Sequence, residues 1–464
     1  MKGIKINVSL RKWMGNGFYW MILSTLVMFT IIGSGVSVHS IKNTDSNTLT
    51  SPRSNENITI TLQFAASNET NVFPLVDSAA DKLRSNHPDL DIHVKYFTTD
   101  YNNYRNQTLK ALNNGTSIDV VSLDQIWLGE FAQKHLLTDL ANYTEKWGHL
   151  SDWYESNLDG MTYNGSIYGI WAWTDVRGMW YWKDLLNEAG VEPSSLETWD
   201  GYIAAAKKLN TVLRPQGIEG VHLTGASHSP DLWYPYLWML GGDIIGLKSG
   251  HPSKGTYWFP TYNNTEGVKA MQFIKDQVDA GISPQKNHSW GEEFANRKFA
   301  VMLEGPWVSG YFPHEQWSSL KQRVGFIPLF PVPSLDNKTS TLMGGWEFSI
   351  PSTSSNKNLA WELIEFMLEP QILTPWIAEE IYLPTQISLG EGNGSYANFL
   401  RKSIPFYDDM ISMIPLGKGR PSIPEYPTIA EDIQVALDDV YYGKKDPKQA
   451  LNEAAAKSAK SLGW

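Results

Sequence analysis

The sequence WAWTDVRGMWYWKDLL, residues 171–186, places one acid, Asp175, and one base, Arg177, inside a run of aromatic residues. The rings that surround these two charges are Trp171, Trp173, Trp180, Tyr181 and Trp182. Burying an unpaired charge is costly, so a core strand could hold Asp175 and Arg177 only at a polar edge. A cleft that binds a polar, ring-shaped molecule needs both residue types, because rings contact its C–H surface and charges bond its hydroxyls. The stretch is therefore either a cleft wall or a core strand with polar edge residues.

The bulk composition excludes several classes of protein. A chain of 464 residues is too long for one ordinary core, so we expect two lobes or domains. The formal net charge of −11 argues against nucleic acid as a partner, since little in the chain would neutralise phosphates. Cysteine is absent, which excludes disulfides, thiolate metal sites and a lipid-modified cysteine. No metal motif stands out either, and the sequence predicts no cofactor.

The N-terminus has the pattern of an export or membrane segment. Residues 1–12 are basic, and residues 13–39 are uncharged and long enough to span a bilayer. The basic segment should remain in the cytoplasm, which places the rest of the chain outside. Residues 13–39 are either a retained anchor or a cleaved signal, and their length favours the anchor. Residues 40–55, rich in Ser, Thr and Asn, predict a flexible tether.

Glycosylation sequons follow the tether. They begin at Asn57, Asn68, Asn106, Asn114, Asn142, Asn164, Asn263, Asn287, Asn337 and Asn393. On a chain that is predicted to be exported they indicate an extracellular glycoprotein. The alternative is that an Asn-rich composition generates sequons by chance.

The body of the chain begins with alternating strand and helix patterns. Strands are predicted at Ile58–Phe64, Ile92–Phe97 and Val120–Leu123, with helices at Leu75–Leu83 and Tyr104–Leu112 between them. This order predicts a parallel sheet with helices on both faces. No glycine fingerprint follows the first strand, so a dinucleotide-binding fold is not supported. Further helix patterns follow, including one that Thr198 should cap and one that should end at Gly281, and two helices close the chain.

Three more stretches combine aromatic and polar residues. They are Asp124–Trp127 after a buried strand, Glu304–Trp307 after an apolar run, and Gly344–Glu347 before a strand. A fourth, Asp231–Tyr236, fits a helix with core aromatics better than a binding loop. Carboxylates such as Asp124, Asp175 and Glu304 could form the pair that a glycoside hydrolase uses, or they could accept hydrogen bonds from hydroxyls.

Segments between Ile58 and Leu462 together resemble the sugar-binding group of extracellular solute-binding proteins of ABC transporters, which includes archaeal trehalose/maltose-binding proteins. The segments that carry the resemblance, in family order, are VVSLDQIWLGEFAQKHLLTDL from Val120, YGIWAWTDVRGMWYWKDLL from Tyr168, ETWDGYIAAAKKL from Glu197, EGPW from Glu304, GGWEFSIP from Gly344, NLAWELIEFM from Asn358 and RPSIPEYPTIAEDIQVAL from Arg420. The resemblance implies a periplasmic-binding-protein-like fold of two α/β lobes with the ligand cleft between them. The first lobe would comprise residues 56–172 with about 302–348, and the second 176–301 with about 349–464.

The resemblance also implies a set of ligand-binding residues. They are Asp124, Trp173, Asp175, Trp307, Gly345 and Trp346, with weaker matches at Glu69 and Arg105 and a departure at Gln386. The three Trp side chains would stack on sugar faces, while the acids and Arg105 would bond hydroxyls. At Gln386 the family has an arginine, and a family tyrosine is here either Ser309 or Tyr311.

The function that the resemblance implies is capture of a di- or oligosaccharide, such as trehalose or maltose, and its delivery to an ABC permease. The protein would be a monomer without catalytic activity, held on the extracellular face of the membrane by its N-terminal segment. The residues themselves leave two alternatives open: a glycoside hydrolase that uses paired carboxylates, and a structural surface glycoprotein.

Overall fold

The computed structural model of the chain describes residues 56–65, 73–224, 230–282, 284–285 and 290–464. The basic segment, the uncharged span and the tether lie outside these ranges, as do Glu69 and the sequons at Asn68 and Asn287. In the ranges that the structure describes, no helix is both long and apolar enough to cross a bilayer.

Strands and helices alternate along much of the described chain. The strands are β1 Glu56–Ala65, β2 Leu90–Thr99, β3 Val120–Asp124, β4 Thr162–Tyr163, β5 Ser166–Ile167, β6 Ile170–Val176, β7 Gly178–Trp182, β8 Glu219–Val221, β9 Leu223–Thr224, β10 Ile245–His251, β11 Gly255–Pro260, β12 Pro284–Gln285, β13 Phe299–Glu304, β14 Val324–Ile327, β15 Thr341–Ser349 and β16 Gly417–Lys418. The α-helices are α1 Phe73–Asn86, α2 Tyr101–Asn113, α3 Leu128–Gln133, α4 Ala141–Trp147, α5 Glu155–Leu158, α6 Lys183–Glu188, α7 Trp199–Leu213, α8 Tyr234–Met239, α9 Thr265–Asp279, α10 Trp290–Ala295, α11 Trp317–Arg323, α12 Lys357–Met367, α13 Pro370–Glu380, α14 Ile387–Gly390, α15 Ser395–Ser403, α16 Tyr407–Ile411, α17 Tyr426–Tyr441 and α18 Pro447–Ser461.

The first sheet contains the predicted βαβαβ unit. β1 lies between β2 and β3 and pairs with both in parallel. β15 adds to β3 in the antiparallel direction, and β6 and β16 both pair with β15. Val120 packs into one core cluster, whereas Val121 and Leu123 pack into another. Because successive side chains of a strand point to opposite faces, both faces of this sheet are covered, as the sequence predicts.

The second sheet has the order β14-β7-β13-β8. β7 runs antiparallel to β13 and to β14, while β13 and β8 are parallel. β7 begins two residues after β6 ends, so residues 170–182 leave the first sheet and enter the second, with Arg177 at the junction. The aromatic stretch around Asp175 and Arg177 therefore joins the two sheets.

The helix ends follow the capping residues that the sequence contains. The Thr198 hydroxyl accepts a hydrogen bond from the Gly201 backbone N–H at 3.3 Å, which caps α7 as predicted. Asn264 caps α9 in the same way through the Gly267 N–H at 2.8 Å. The chain turns after α9 at Gly281, whose φ of +84° is in the left-handed region that glycine favours. These caps satisfy backbone donors that a helix leaves unpaired.

The contacts between elements differ from the expected lobe boundaries in two segments. β13 and β14, within or next to residues 302–348, pair with β7 in the second sheet and not in the first. Helices α12 and α13, which follow residue 349, pack on α1 beside the first sheet. A buried apolar pattern shows that an element is in a core but not which sheet it joins. We propose revised lobes of residues 56–176 with about 341–416, and 178–327 with about 420–464.

Candidate ligand-binding site

One row of the first sheet brings together three of the predicted residues. Trp346 on β15 is the register partner of Asp124 on β3 and of Trp173 on β6. Cross-strand partners lie about 4.5–5.5 Å apart at Cβ and point to the same face. A carboxylate and two indoles therefore stand side by side, although their positions in the chain are far apart.

Aromatic rings hold this row in place. Trp346 is half-buried and has its ring centroid 5.6 Å from Trp127 and 6.0 Å from Tyr101, both in edge-to-face contact. The rings of Trp173 and Trp346 lie 6.3 Å apart at 27°. Tyr382 stacks on the other side of Trp173, 3.7 Å away and almost parallel. Trp173 is therefore packed against Tyr382 and Trp346 and is largely buried. Together these rings form what we call the aromatic wall.

Gly345 has a packing role beneath the aromatic wall. Its φ is +153°, and a Cβ placed there would lie 1.9 Å from Trp171 Nε1 and 2.3 Å from the Trp173 carbonyl oxygen. Only glycine avoids both contacts and adopts this backbone angle without strain. The residue therefore lets Trp171 pack under β15 while Trp346 faces the cleft.

Beside the wall lies a cluster of charged side chains, which we call the charged cluster. Its members are Asp124, Asp175, Asp231, Glu304, Arg177 and Arg420. Arg177 donates to Asp175 across 2.6 Å, and its other guanidinium nitrogens lie 3.9 Å from Asp231 and 3.8 Å from Glu304. Arg420 donates to Asp231 at 3.1 Å and to Asp124 at 3.4 Å. Asp231 thus lies between two guanidinium groups, which compensates its burial.

The charged cluster spans the boundary between the two sheets. Asp124 ends β3 and Asp175 lies on β6, whereas Glu304 ends β13 of the second sheet. Arg177 lies at the junction of β6 and β7, and Arg420 follows β16 on a later crossing segment. Polar groups from both lobes therefore meet within a few ångströms, as a cleft between lobes requires.

Burial shifts the acidity of the carboxylates in the charged cluster. It raises the pKa of Asp124 and of Asp175, against the opposing effect of Arg420 and Arg177 respectively. It raises the pKa of Glu304 to about 7, and the charge of Arg177, whose nearest nitrogen lies 3.8 Å away, offsets this only in part. Glu304 also accepts from the Gly305 backbone N–H at 2.9 Å. Near neutral pH this carboxyl is available both as a donor and as an acceptor.

Two more aromatic side chains complete the surroundings of the charged cluster. The Tyr101 hydroxyl donates to Asp124 at 3.0 Å, and half of the Tyr101 side chain is exposed, so the site is open to solvent there. Trp307, in the turn after β13, has its ring 5.0 Å from the Arg177 guanidinium. The arrangement offers flat apolar faces next to charged donors and acceptors, which is the requirement for holding a polyhydroxylated ring.

Comparison with known protein families identifies the chain. The family model described as "Bacterial extracellular solute-binding protein" matches residues 78–391, more than half of the sequence.

The chain belongs to this family of extracellular solute-binding proteins.

Individual relatives agree with that assignment. A binding protein of Brucella abortus (strain 2308) is 25% identical over 363 residues, which are 75% of this solute-binding protein and 80% of the relative. The galactooligosaccharide-binding protein of Bacillus subtilis (strain 168) is 25% identical over 349 residues, 74% of this chain and 76% of the relative. The crystal structure of the cyclic α-maltosyl-1,6-maltose binding protein of Arthrobacter globiformis matches with a TM-score of 0.72 at 22% identity, covering 88% of this chain and 99% of that one. The structural likeness confirms the predicted two-lobed α/β fold.

Two predicted site residues of this solute-binding protein lie apart from the charged cluster. Arg105 on α2 pairs with Glu130 on α3 at 2.6 Å. Gln386 is buried beside α14, where its amide donates to the Leu368 carbonyl at 3.0 Å. The C-terminal part of the chain does place an arginine in the site, but this arginine is Arg420 and its position is not that of Gln386. Glu69 lies outside the described residues.

The two candidates for the family tyrosine also differ in position. Ser309 is fully buried, and its hydroxyl has no hydrogen-bond partner in the described ranges. Tyr311 is about half exposed, and burial together with the charge of Glu304 raises the pKa of its hydroxyl. Tyr311 therefore lies within electrostatic reach of Glu304 and fits the site better.

Sequence reasoning missed several residues that the structure brings into the site. Arg177 is singled out in the aromatic stretch but not among the implied ligand-binding residues. Arg420 lies in a segment that carried the resemblance, and its pairing with acids shows its role. Asp231 precedes the core aromatics Trp233 and Tyr234, so the segment contributes both to the core and to the site. No sequence pattern pointed to Tyr382, because its role depends on a stack with a residue more than 200 positions earlier.

Proposed function

We propose that this extracellular solute-binding protein captures a sugar in the cleft between its lobes and delivers it to an ABC permease. The observation that carries the proposal is the position of the aromatic wall next to the charged cluster, with polar groups from both lobes. Indole rings stack on the C–H faces of a sugar, and charge-assisted hydrogen bonds to its hydroxyls are among the strong ones. The Bacillus subtilis relative, which is named for galactooligosaccharide binding, supports a carbohydrate as the ligand class.

The proposed binding residues have distinct tasks. Trp173, Trp307 and Trp346 supply ring faces, while Asp124 and Asp175 accept hydrogen bonds from hydroxyls. Four other members of the charged cluster would rearrange their mutual contacts to bond the ligand: Arg177, Arg420, Asp231 and Glu304. A ligand that leaves any of these buried groups unpaired loses the free energy of that hydrogen bond and is rejected.

The size of the ligand is proposed to be that of a di- or oligosaccharide. The resemblance to archaeal trehalose/maltose-binding proteins supports a disaccharide such as trehalose or maltose, whereas the Bacillus subtilis relative is named for a longer sugar. Glu69 and Arg105 stay in the proposal as contacts at the edge of the cleft.

Binding is proposed to hold the two lobes together. A ligand that bonds Asp124 in one lobe and Glu304 in the other binds best when the lobes are close, so it shifts the equilibrium towards the closed form. The permease would distinguish this form from the open one. We propose that the protein acts as a monomer.

The protein is further proposed to be held outside the cell by residues 13–39 and to carry glycans. Among the described sequons, exposed side chains belong to Asn57, Asn106, Asn114, Asn142, Asn164, Asn337 and Asn393. Exposure makes these positions accessible to a glycosyltransferase, which supports the proposal.

Titration calorimetry with a panel of disaccharides, combined with a reducing-sugar assay, tests this function. We expect at least one sugar to bind without formation of product. Asp175→Asn keeps the shape of the side chain but removes a charged acceptor, so affinity should fall by about 1.5–3 kcal/mol. Glu315→Gln, at an exposed acid outside the charged cluster, is the control. Sugar release that disappears in Asp175→Asn would instead support a hydrolase, an alternative to which the family and the relatives give no support.

A further inference from the structure

A second cleft, of about 510 Å³, lies along the crossing segment at residues 417–423. Residues from both lobes line it, the principal ones being Gln125, Ser156, Tyr163, Asp243, Trp258 and Lys418. Arg420 is the one member of the charged cluster that lines this cleft too. Its guanidinium is engaged by Asp124 and Asp231, so the second cleft and the charged cluster adjoin each other along the crossing segment.

The second cleft has a polar floor with two unmatched oxygen atoms. Gln125 is almost fully buried, and its amide nitrogen donates to the Arg420 carbonyl at 2.7 Å and to the Ser422 hydroxyl at 2.6 Å. Within the part of the chain that the structure describes, its amide oxygen, Oε1, has no hydrogen-bond partner, and neither has the buried hydroxyl of Ser156. Buried polar atoms without partners cost free energy, which a ligand with hydroxyl groups would recover.

Open space lies beside Gly419. Among the described residues, the nearest atom that a Cβ on Gly419 would meet is Gln125 Oε1, at 4.0 Å. The backbone of Gly419 is not in the left-handed region, so its lack of a side chain is not required by conformation. The absence of a side chain at this position keeps this part of the cleft open.

The remaining walls match the chemistry of a sugar or polyol. Tyr163 and Trp258, both half-buried, contribute ring faces from the first and the second lobe respectively. Asp243 accepts from Lys418 at 2.6 Å, which places a charged donor and acceptor pair at the rim. The volume is within the range of small-molecule sites, on the order of 300–1,000 Å³.

We propose that the second cleft is a separate binding site for a polyhydroxylated small molecule of monosaccharide size. Its hydroxyls donate to Gln125 Oε1 and bond Ser156, and its ring lies against Trp258. Because the cleft is lined by both lobes and by the crossing segment that carries Arg420, occupancy of this site is coupled to affinity at the charged cluster. The site does not depend on the sugar-transport function.

Fluorine NMR on the full chain labelled with 5-fluorotryptophan, titrated with glucose and then with glycerol, tests the proposal. The Trp258 resonance is assigned by its loss in Trp258→Phe, and those of Trp307 and Trp346 report the first cleft. We expect the Trp258 resonance to shift saturably and to keep that shift in Trp346→Ala. Gly419→Leu, whose side chain enters the cleft, should abolish the shift. Gly394→Leu, at another glycine with open space and no left-handed φ, should retain it.

Three outcomes overturn the proposal. The first is a Trp258 resonance that does not shift when glucose or glycerol is added to well above about 1 mM, the dissociation constant of a weak specific complex. The second is a shift that persists in Gly419→Leu, and the third is a shift that is lost in Trp346→Ala, since it then reports only the first cleft. If Gly419→Leu does not fold, Ser156→Ala takes its place, and it should weaken glucose binding several-fold without lowering the melting temperature. A Trp346 resonance that no disaccharide of the panel moves, together with a Trp258 resonance that glucose moves, would contradict the sugar-transport function and leave this site intact.

Discussion

Glu347 follows Trp346 on β15 and is fully buried, and neither of its carboxylate oxygens has a hydrogen-bond partner among the described residues. Its environment is tight, since a Cβ on Gly169 would lie 2.3 Å from one of these oxygens. Burial raises the pKa of Glu347 well above its ordinary value, and the charge of Asp124 adds to the effect. In the folded protein this side chain is therefore a neutral acid, which explains how a central strand tolerates it.

The neutral form of Glu347 makes stability depend on pH. Because its folded pKa is above the unfolded value of about 4.3, its contribution is fully present below that pH and is lost as pH rises through the folded pKa. Glu347→Gln is always neutral, so its melting temperature should fall less than that of the wild type between pH 5 and pH 8. Differential scanning calorimetry measures this, with exposed Glu315→Gln as the control. Equal slopes in all three proteins would contradict the interpretation.

Glu304 should make ligand affinity depend on pH. Its pKa of about 7 means that the charged, accepting form increases as pH rises through neutrality. A sugar hydroxyl bonds the charged form more strongly, so affinity should rise between pH 6 and pH 8, by less than tenfold per pH unit. Calorimetric titration of the best sugar at several pH values tests this. In Glu304→Gln the rise should vanish, whereas it should persist in Glu315→Gln.

At the scale of elements, β15 connects the packing beneath the wall to the wall itself. Gly345→Ala places a methyl group against Trp171 and strains the backbone, so it should destabilise the fold by about 1–3 kcal/mol or more. Trp346→Ala, one residue later, should keep the fold and weaken sugar binding by roughly 1–3 kcal/mol, by analogy with stacking platforms. Urea unfolding and calorimetric titration of both variants separate the two roles. Trp147→Ala, at a half-buried ring on α4, is the control for loss of an indole. Unchanged affinity in Trp346→Ala would assign that residue to the core.

The order of elements was predictable where local patterns decide it. Alternating strands and helices near the N-terminus predicted the parallel unit β1–α1–β2–α2–β3, and Thr198 predicted the start of α7. The partner of a strand is not a local property. β13 and β14 have the same apolar character as β15, yet they join the other sheet. The expected boundaries failed there because hydrophobic burial carries no information about which sheet covers a strand.

The site shows the same division between local and distant information. Asp124, Trp173 and Asp175 could be chosen because acids and rings occur together in short stretches. Arg420 compensates two acids that lie 296 and 189 positions away, and no spacing rule links them. Charge compensation in a buried cluster becomes visible only when the crossing segments have been placed.

At the scale of the whole molecule, the charged cluster should hold the lobes together even without sugar. Asp124 carries this contact, because it lies in the first lobe and is 3.4 Å from Arg420 of the second lobe. Asp124→Ala should therefore raise the radius of gyration of the sugar-free protein, measured by small-angle X-ray scattering, because Arg420 then loses its partner in the first lobe. Asp279→Ala, which removes an exposed pair within α9, is the control. A radius of gyration that does not change would assign the closure to other contacts.

The proposed topology predicts which part of the chain a protease reaches. If residues 13–39 cross the membrane with residues 1–12 inside, protease added to intact cells should degrade the body and spare the N-terminal segment. Immunoblots with tags at both ends measure this. A body that is degraded only after lysis would contradict export.

The position of β15 between β3 and β6 has a consequence for the order of assembly. Until residues 341–349 have been synthesised, β3 and β6 lack the strand that pairs with both of them. An unpaired strand edge invites association with other chains. A chain that is exported from its N-terminus therefore presents an incomplete first lobe for most of its passage, and folding is completed late by contacts of large sequence separation. We expect this lobe to require protection by secretion chaperones, and substitutions in β15 to lower the yield of exported protein before they affect ligand binding.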